Sequence, residues 1–213
     1  MERRQILSSG RSGFSHLTGD FVAERLSVSA AIGDHDLNPH LRGRATGTLR
    51  HASVLVPLID RPAGLTVLLT ERTQHLTNHA GQIAFPGGRQ EPEDVDEIDA
   101  ALRETEEEIG LPRAFVRVIG RLDTCVTGTL YSITPIVGLI RPPFPLRPDP
   151  HEVADVFEVP LSFIADPAHH ERRSRDYEGR PRYFYVLPFE QRYIWGATAG
   201  MLVNLARRLA DPT

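Results

Sequence analysis

Carboxylates crowd the segment Arg103-Glu104-Thr105-Glu106-Glu107-Glu108-Ile109-Gly110. On a helix turning about 100° per residue, Glu104 and Glu108 stand one turn apart on one flank, with Glu107 adjacent. Like charges at that spacing repel by about 0.2–0.5 kcal/mol per pair. A helix built only for packing would space them or alternate them with Arg. A divalent cation turns the repulsion into ligation, because hard cations take carboxylate oxygens. Arg103 precedes Glu107 by four residues, so it can pair with that carboxylate and fix its rotamer. The chain leads in through Phe85-Pro86-Gly87-Gly88, where Pro86 holds Phe85 extended and two glycines let the main chain approach a ligand closely.

Other chemistry-bearing residues are more scattered. Glu152 follows a Pro-rich loop and could position or deprotonate a water, complete a metal shell, or be an ordinary loop carboxylate. Arg72 could hold phosphate oxygens bidentately or pair with nearby acids. His75 and His79 share its loop and read as surface histidines. Tyr183, Phe184, Tyr185, Phe189, Tyr193 and Trp195 are read as core or dimer-interface aromatics, with adenine stacking as the alternative. Cys125 has no His/Asn constellation around it and reads as a packed thiol. The Gly-x-Ser-x-Gly elbow of serine hydrolases is absent.

These residues need elements to position them. Ser53 to Ile59 reads as a buried strand, and Leu65 to Thr70 as its hairpin partner across Asp60-Arg61-Pro62-Ala63-Gly64. A loop runs from Arg72 to Arg89. The acidic helix spans about Asp94 to Ile109, with Ile98, Leu102, Thr105 and Ile109 as its buried stripe, and Gly110 and Pro112 stop it. Further strands are expected at Val116–Leu122, Ile133–Ile140, Val156–Pro160 and Arg182–Leu187, and a last helix at Gly196–Leu209. Residues 1–20 read as a loose arm, and Phe21–Ala31 as a weak helix. The order predicts an α/β sandwich around a mixed sheet.

Composition removes other chemistries. The chain has 213 residues, enough for a core without disulfides or a structural metal. Its single cysteine excludes disulfide scaffolds, Cys-rich zinc sites and iron–sulfur clusters. All 24 basic residues are Arg, so Schiff-base chemistry and P-loop or kinase lysines are ruled out. Net charge is −4 and the arginines are scattered, so no nucleic-acid partner is expected. No stretch reaches the length of a membrane span and the start lacks an apolar signal core, which predicts a cytoplasmic protein without a membrane partner.

Arg103-Glu104-Thr105-Glu106-Glu107-Glu108-Ile109-Gly110-Leu111 closely resembles the core of the Nudix box, the signature of hydrolases acting on nucleoside diphosphates linked to another moiety. Gly88 is followed after five residues by Asp94 where that family carries Glu, and eight residues rather than seven separate Asp94 from Arg103. Thr105 stands where a larger apolar residue is usual. The run Leu68-Leu69-Thr70-Glu71-Arg72, with Gly81-Gln82-Ile83-Ala84-Phe85-Pro86-Gly87-Gly88, resembles the segment marking the coenzyme A pyrophosphatase branch. Thr73 replaces its Ser or Ala, and Thr77 replaces an Arg. The resemblance continues through His151-Glu152-Val153 and Phe157-Glu158-Val159-Pro160 to Tyr193–Gly200.

The resemblance implies a Nudix-like α/β/α sandwich over residues 46–213, after an N-terminal arm and helix over residues 1–45. It implies hydrolysis of the diphosphate of coenzyme A or a related nucleotide with Mg²⁺ or Mn²⁺. Gly87, Glu104, Glu107 and Glu108 would be the metal ligands. Glu107, Glu152 and Arg103 would be catalytic, and Arg72, Gly88 and Arg89 would bind substrate. The partner is then a small molecule, with a homodimer left open. Other Nudix substrates (ADP-ribose, NADH, dinucleoside polyphosphates) and a non-catalytic nucleotide-sensing module are the alternatives.

Overall fold

A computed structural model describes residues 17–26, 37–38, 48–76, 79–177 and 179–210. Its central strand is β1 (Arg50–Arg61), in which eight consecutive residues from Ala52 to Ile59 are buried. Such a continuous buried run belongs to a strand covered on both faces. β2 (Gly64–Arg72) turns back antiparallel on one edge of β1, and β7 (Tyr131–Ile140) pairs parallel along the other edge over ten residues.

Two short strands fill the gap where β1 and β2 splay. β3 (Ile83–Ala84) pairs with β2, and β4 (Gly87–Arg89) pairs with β1 at Ala52–Val54. Pro57 sits in that gap without breaking the sheet. The Leu55 amide donates toward this edge, to the Pro86 carbonyl. Pro57, two residues on, turns its missing N–H the same way, between the last β4 pair at Val54 and the first β2 pair at Leu58. β5 (Val116–Arg121) and β6 (Cys125–Val126) pair with β7, and β8 (Val153–Pro160) with the outer edge of β2. The result is an eight-stranded mixed sheet.

Besides a short N-terminal helix, α1 (Gly19–Leu26), one long helix covers each face. α2 (Glu97–Ile109) lies on the face built from Leu55, Ile59, Leu68, Ile136 and Ile140. α3 (Leu161–Ala165) and α4 (Gly196–Leu209), together with α1, pack on the opposite face. A three-stranded sheet of β9 (Glu171–Tyr177), β10 (Arg180–Phe189) and β11 (Arg192–Trp195) leads into α4. The architecture is the α/β sandwich that the element order implied. Among the described residues, no helix is long and apolar enough to cross a membrane.

Several boundaries differ from expectation. The acidic helix begins at Glu97 rather than Asp94, because Asp96 caps it by accepting from the Ile98 and Asp99 amides. Its buried stripe is rotated: Ile98 is exposed, while Ala101, Thr105, Glu108 and Ile109 are buried. The smaller side chains thus face the sheet and carry Glu108 inward with them. The expected loop from Arg72 to Arg89 contains β3 and β4. β9 and β11 have no counterpart among the expected strands, because an Arg-rich run and a four-residue run carry little apolar periodicity. The first helix runs from Gly19 to Leu26 and buries Val22 and Leu26 in the main core. The arm before Leu17, the rest of the predicted Phe21–Ala31 helix, and Thr77 lie outside the described residues.

Candidate active site

The carboxylates of α2 reach the sheet where β4 pairs with β1. Gly87 has φ of 147°, and a side chain there would strike the Ser53 carbonyl and the Val54 main chain. Only glycine lets β4 lie this close. Gly88 faces α2, and a Cβ on it would sit 2.5 Å from Cδ of Glu104. The double glycine therefore brings bare main chain up to two carboxylates: Glu104 lies over Gly88, and Glu108 accepts a 3.1 Å hydrogen bond from the Gly87 amide.

Arg103 organises the flank. Nε and Nη2 donate to the two oxygens of Asp94 at 2.8 and 3.0 Å. Nη1 donates to Glu104 at 3.0 Å and Glu107 at 3.1 Å, and Nη2 also reaches the Arg89 carbonyl at 3.1 Å. Asp94, the departure from the family pattern, is thus the clamp on Arg103. The Arg103 hydrogen bonds hold the Asp94 carboxyl below its ordinary value. Its signal in the sequence was the spacing from Gly88, which was visible, but its partner was not.

Arg72 closes the other flank. It lies on β2 at a bulge opposite β8, donates to Glu108 at 3.3 Å, and stands 3.9 Å from Glu152. Burial pushes the Glu108 carboxyl up to about 7, against the opposing pull of the Gly87 amide and Arg72, with Glu152 and Glu104 adding to the rise. Burial also raises Glu104, against the opposing pull of Arg103. Glu107 is the exposed member, with 60% of its side chain accessible.

The structure therefore brings together Gly87, Gly88, Arg103, Glu104, Glu107 and Glu108, with Arg72 and Glu152 at the rim. Arg89 is not in the group. Its carbonyl serves Arg103, but it follows Gly88 on a strand and pairs with Ala52, so its side chain points to the opposite face of the sheet. His79 bonds Gln82 within its own loop, and His75 lies against Thr73. Cys125 is buried.

Among the described residues, no three His, Cys, Asp or Glu side chains already form a closed metal cage. Arg103 draws Glu104 and Glu107 to one side, and Arg72 draws Glu108 to the other. The donor set still fits a hard divalent ion. It consists of oxygen alone, and burial leaves Glu104 and Glu108 short of compensating positive charge. The buried Ser53 hydroxyl, directly opposite Gly88, has no hydrogen-bond partner.

The sequence of this chain is similar to known proteins. The NUDIX domain matches residues 49–178. The "Uncharacterized Nudix hydrolase NudL" of Yersinia pestis (strain Pestoides F) is 40% identical over 165 residues, covering 78% of this chain and 82% of that protein. The same identity and coverage hold for NudL of Yersinia pseudotuberculosis serotype O:3 (strain YPIII). Among solved structures, a C. elegans Ap4A hydrolase is 21% identical, covers 52% of this chain and 80% of its own, and has a TM-score of 0.46.

Proposed function

Since this chain belongs to the Nudix hydrolase family, we propose that it hydrolyses the diphosphate of coenzyme A or a derivative, giving 3′,5′-ADP and 4′-phosphopantetheine or its acyl form. The family works with a divalent metal ion; Mg²⁺ or Mn²⁺ is the proposed one here. Residues 46–213 constitute the proposed hydrolase domain, behind an N-terminal arm and helix. The observation that carries the substrate reading is the position of Arg72. It ends the Leu68–Arg72 run that resembles the coenzyme A branch, and its guanidinium stands between Glu108 and Glu152 at the mouth of the site.

Glu104, Glu107 and Glu108, with the Gly87 carbonyl, would hold the ion. Bound there, it supplies neutralisation of the diphosphate and a lowered pKa for water. The remaining steps belong to the chain. Arg103 keeps Glu104 and Glu107 aimed through three anchored contacts. Arg72 exchanges a carboxylate partner for a phosphate oxygen, which it can meet bidentately. Glu152, half-exposed at the rim, takes a proton from the attacking water at a carboxylate oxygen. Water oxygen bonds to one phosphorus while the bridging P–O bond breaks, and the bridging oxygen leaves with the other phosphate.

The test is a substrate panel with Mg²⁺ and with Mn²⁺, products identified by mass, in isotopically labelled water. The coenzyme A reading expects 3′,5′-ADP and phosphopantetheine, with label on one product only. Robust cleavage of ADP-ribose or NADH and none of coenzyme A would move the assignment to another Nudix substrate. Binding without turnover of any diphosphate would make the chain a nucleotide-sensing module.

A further inference from the structure

A second recess lies on the face of the sheet opposite α2. It opens between β6 and the three-stranded sheet, with a cavity volume of about 80 Å³, and Cys125, Thr127, Arg175, Arg182, Phe184 and Trp195 are among its walls. That volume suits one phosphate-sized group rather than a whole enclosed small molecule, which needs about 300–1,000 Å³. Arg175 and Arg182 are directly opposite each other on β9 and β10, and no other pair in that described ladder sets two cations face to face. Arg182 also lies over the Tyr177 ring at 5.5 Å, so the pair is set among aromatic rings.

Both guanidiniums are held in place. Arg182 lies against Gly128, where a Cβ would be 2.5 Å from Nη2 and 2.6 Å from Nη1. Arg175 is over the Trp195 ring at 5.8 Å, and Phe184 meets that ring edge-on at 5.7 Å. The strand carrying Arg182 is itself fixed by Asn38, whose buried side-chain amide donates to the Tyr183 carbonyl at 2.9 Å and accepts from its amide at 2.8 Å. Paired guanidiniums beside a half-buried indole are the chemistry that receives a phosphate monoester attached to a planar ring.

We propose that this recess binds an adenosine phosphate, with Arg175 and Arg182 holding the phosphate and Trp195 facing the ring. The choice of adenosine rests on the coenzyme A reading; the binding of a phosphate to the paired arginines does not. Two sources share the chemistry: the 3′-phosphoadenosine end of the substrate itself, or a separate adenine nucleotide.

Trp195 is the chain's only tryptophan, so its emission reports on the recess alone. The full-length protein in chelator is titrated with adenosine 3′,5′-bisphosphate and, separately, with inorganic phosphate. Saturable quenching by the nucleotide, competed by phosphate and weakened about tenfold or more in Arg175→Gln, is the expected result. Arg175 is exposed, so that variant should fold. Gly128→Ala, which displaces the Arg182 guanidinium without removing its charge, should weaken binding similarly. No quenching, or equal quenching in wild type and both variants, overturns the proposal. If Arg175→Gln raises KM for coenzyme A but not for dephospho-coenzyme A, the occupant is the substrate's own 3′-phosphate. If KM for both is unchanged while quenching is lost, the occupant is a separate nucleotide. Quenching without coenzyme A cleavage would leave this site standing and remove the substrate reading.

Discussion

All five N–H groups of the Arg103 guanidinium have an acceptor: both oxygens of Asp94, Glu104, Glu107 and the Arg89 carbonyl. A lysine offers one point charge and cannot reproduce that fork. Asp94→Asn should loosen it, costing about 1–2 kcal/mol and lowering kcat more than it raises KM, because the misplaced groups are the carboxylates. Asp94→Glu should recover part of the rate, and equal kinetics in wild type and Asp94→Asn would remove the clamp from the catalytic apparatus. Glu108 makes a sharper case. Its folded-state pKa of about 7 lies above the ordinary carboxylate value, so the ion-free protein prefers it protonated. Below about pH 4.5 the proton is bound in both folded and unfolded chains and there is no penalty. As pH rises to 7 the penalty grows to at most about 3 kcal/mol. In chelator above pH 7, Glu108→Gln should therefore melt at a higher temperature than wild type, and the advantage should vanish near pH 4. Added divalent ion should stabilise the wild type and not the variant. The same substitution, like Glu104→Gln, should lower kcat about a hundredfold or more. A thermal-shift series over pH with and without Mn²⁺, beside initial rates, checks both halves.

The two glycines of β4 fail differently when filled. At Gly88 the obstacle is the end of the flexible Glu104 side chain, so Gly88→Ala should leave the melting temperature nearly unchanged and cut turnover severely. At Gly87 the obstacle is main chain, and φ of 147° is unfavourable for any other residue. Gly87→Ala should therefore lower stability by several kcal/mol. A variant pair with matching losses in both assays would contradict this division. The helix behind these glycines was legible because Gly110 and Pro112 mark its end and the carboxylate spacing marks its face. Its rotation was not legible. Which residues reach the sheet depends on how closely β4 lets the helix approach, and the small Ala101 and Thr105 meet that demand where Ile98 does not. The central hairpin and α4 follow from apolar runs with clear stops. β3 and β4 do not, because two or three residues inserted between splayed strands leave no period to read. Asp94 was legible as a spacing and Arg72 as a motif residue, but the contacts of both depend on tertiary placement.

At the scale of the molecule, the small sheet is tied to the large one beside the site. Arg192 of β11 donates to Glu71 of β2 at 3.0 Å and to Asp155 of β8 at 2.5 Å, with its guanidinium 3.8 Å from the Phe157 ring centroid. Arg192→Leu leaves those two carboxylates facing each other. It should cost about 1–2 kcal/mol, a drop of roughly 2–8 °C in Tm for a chain of this size, and the loss should shrink in high salt. A salt-independent loss would assign Arg192 to packing alone. The second tie, Thr198 at the start of α4 donating to the Ile83 carbonyl at 3.0 Å, anchors α4 to the strand that precedes the double glycine. The parallel pairing of β1 with β7 has a different consequence, which concerns synthesis. β1 ends at Arg61, yet the partner along its far edge runs from Tyr131 to Ile140. A nascent chain that has delivered the hairpin, the glycines and the whole acidic helix still presents a long, buried-type strand with an open edge. Pairings so distant in sequence form late, and unpaired apolar edges are where growing chains stick to one another. The ribosome must therefore release about eighty further residues past β1 before its sheet can close, and over that interval the chain depends on speed, or on chaperones, to stay in solution.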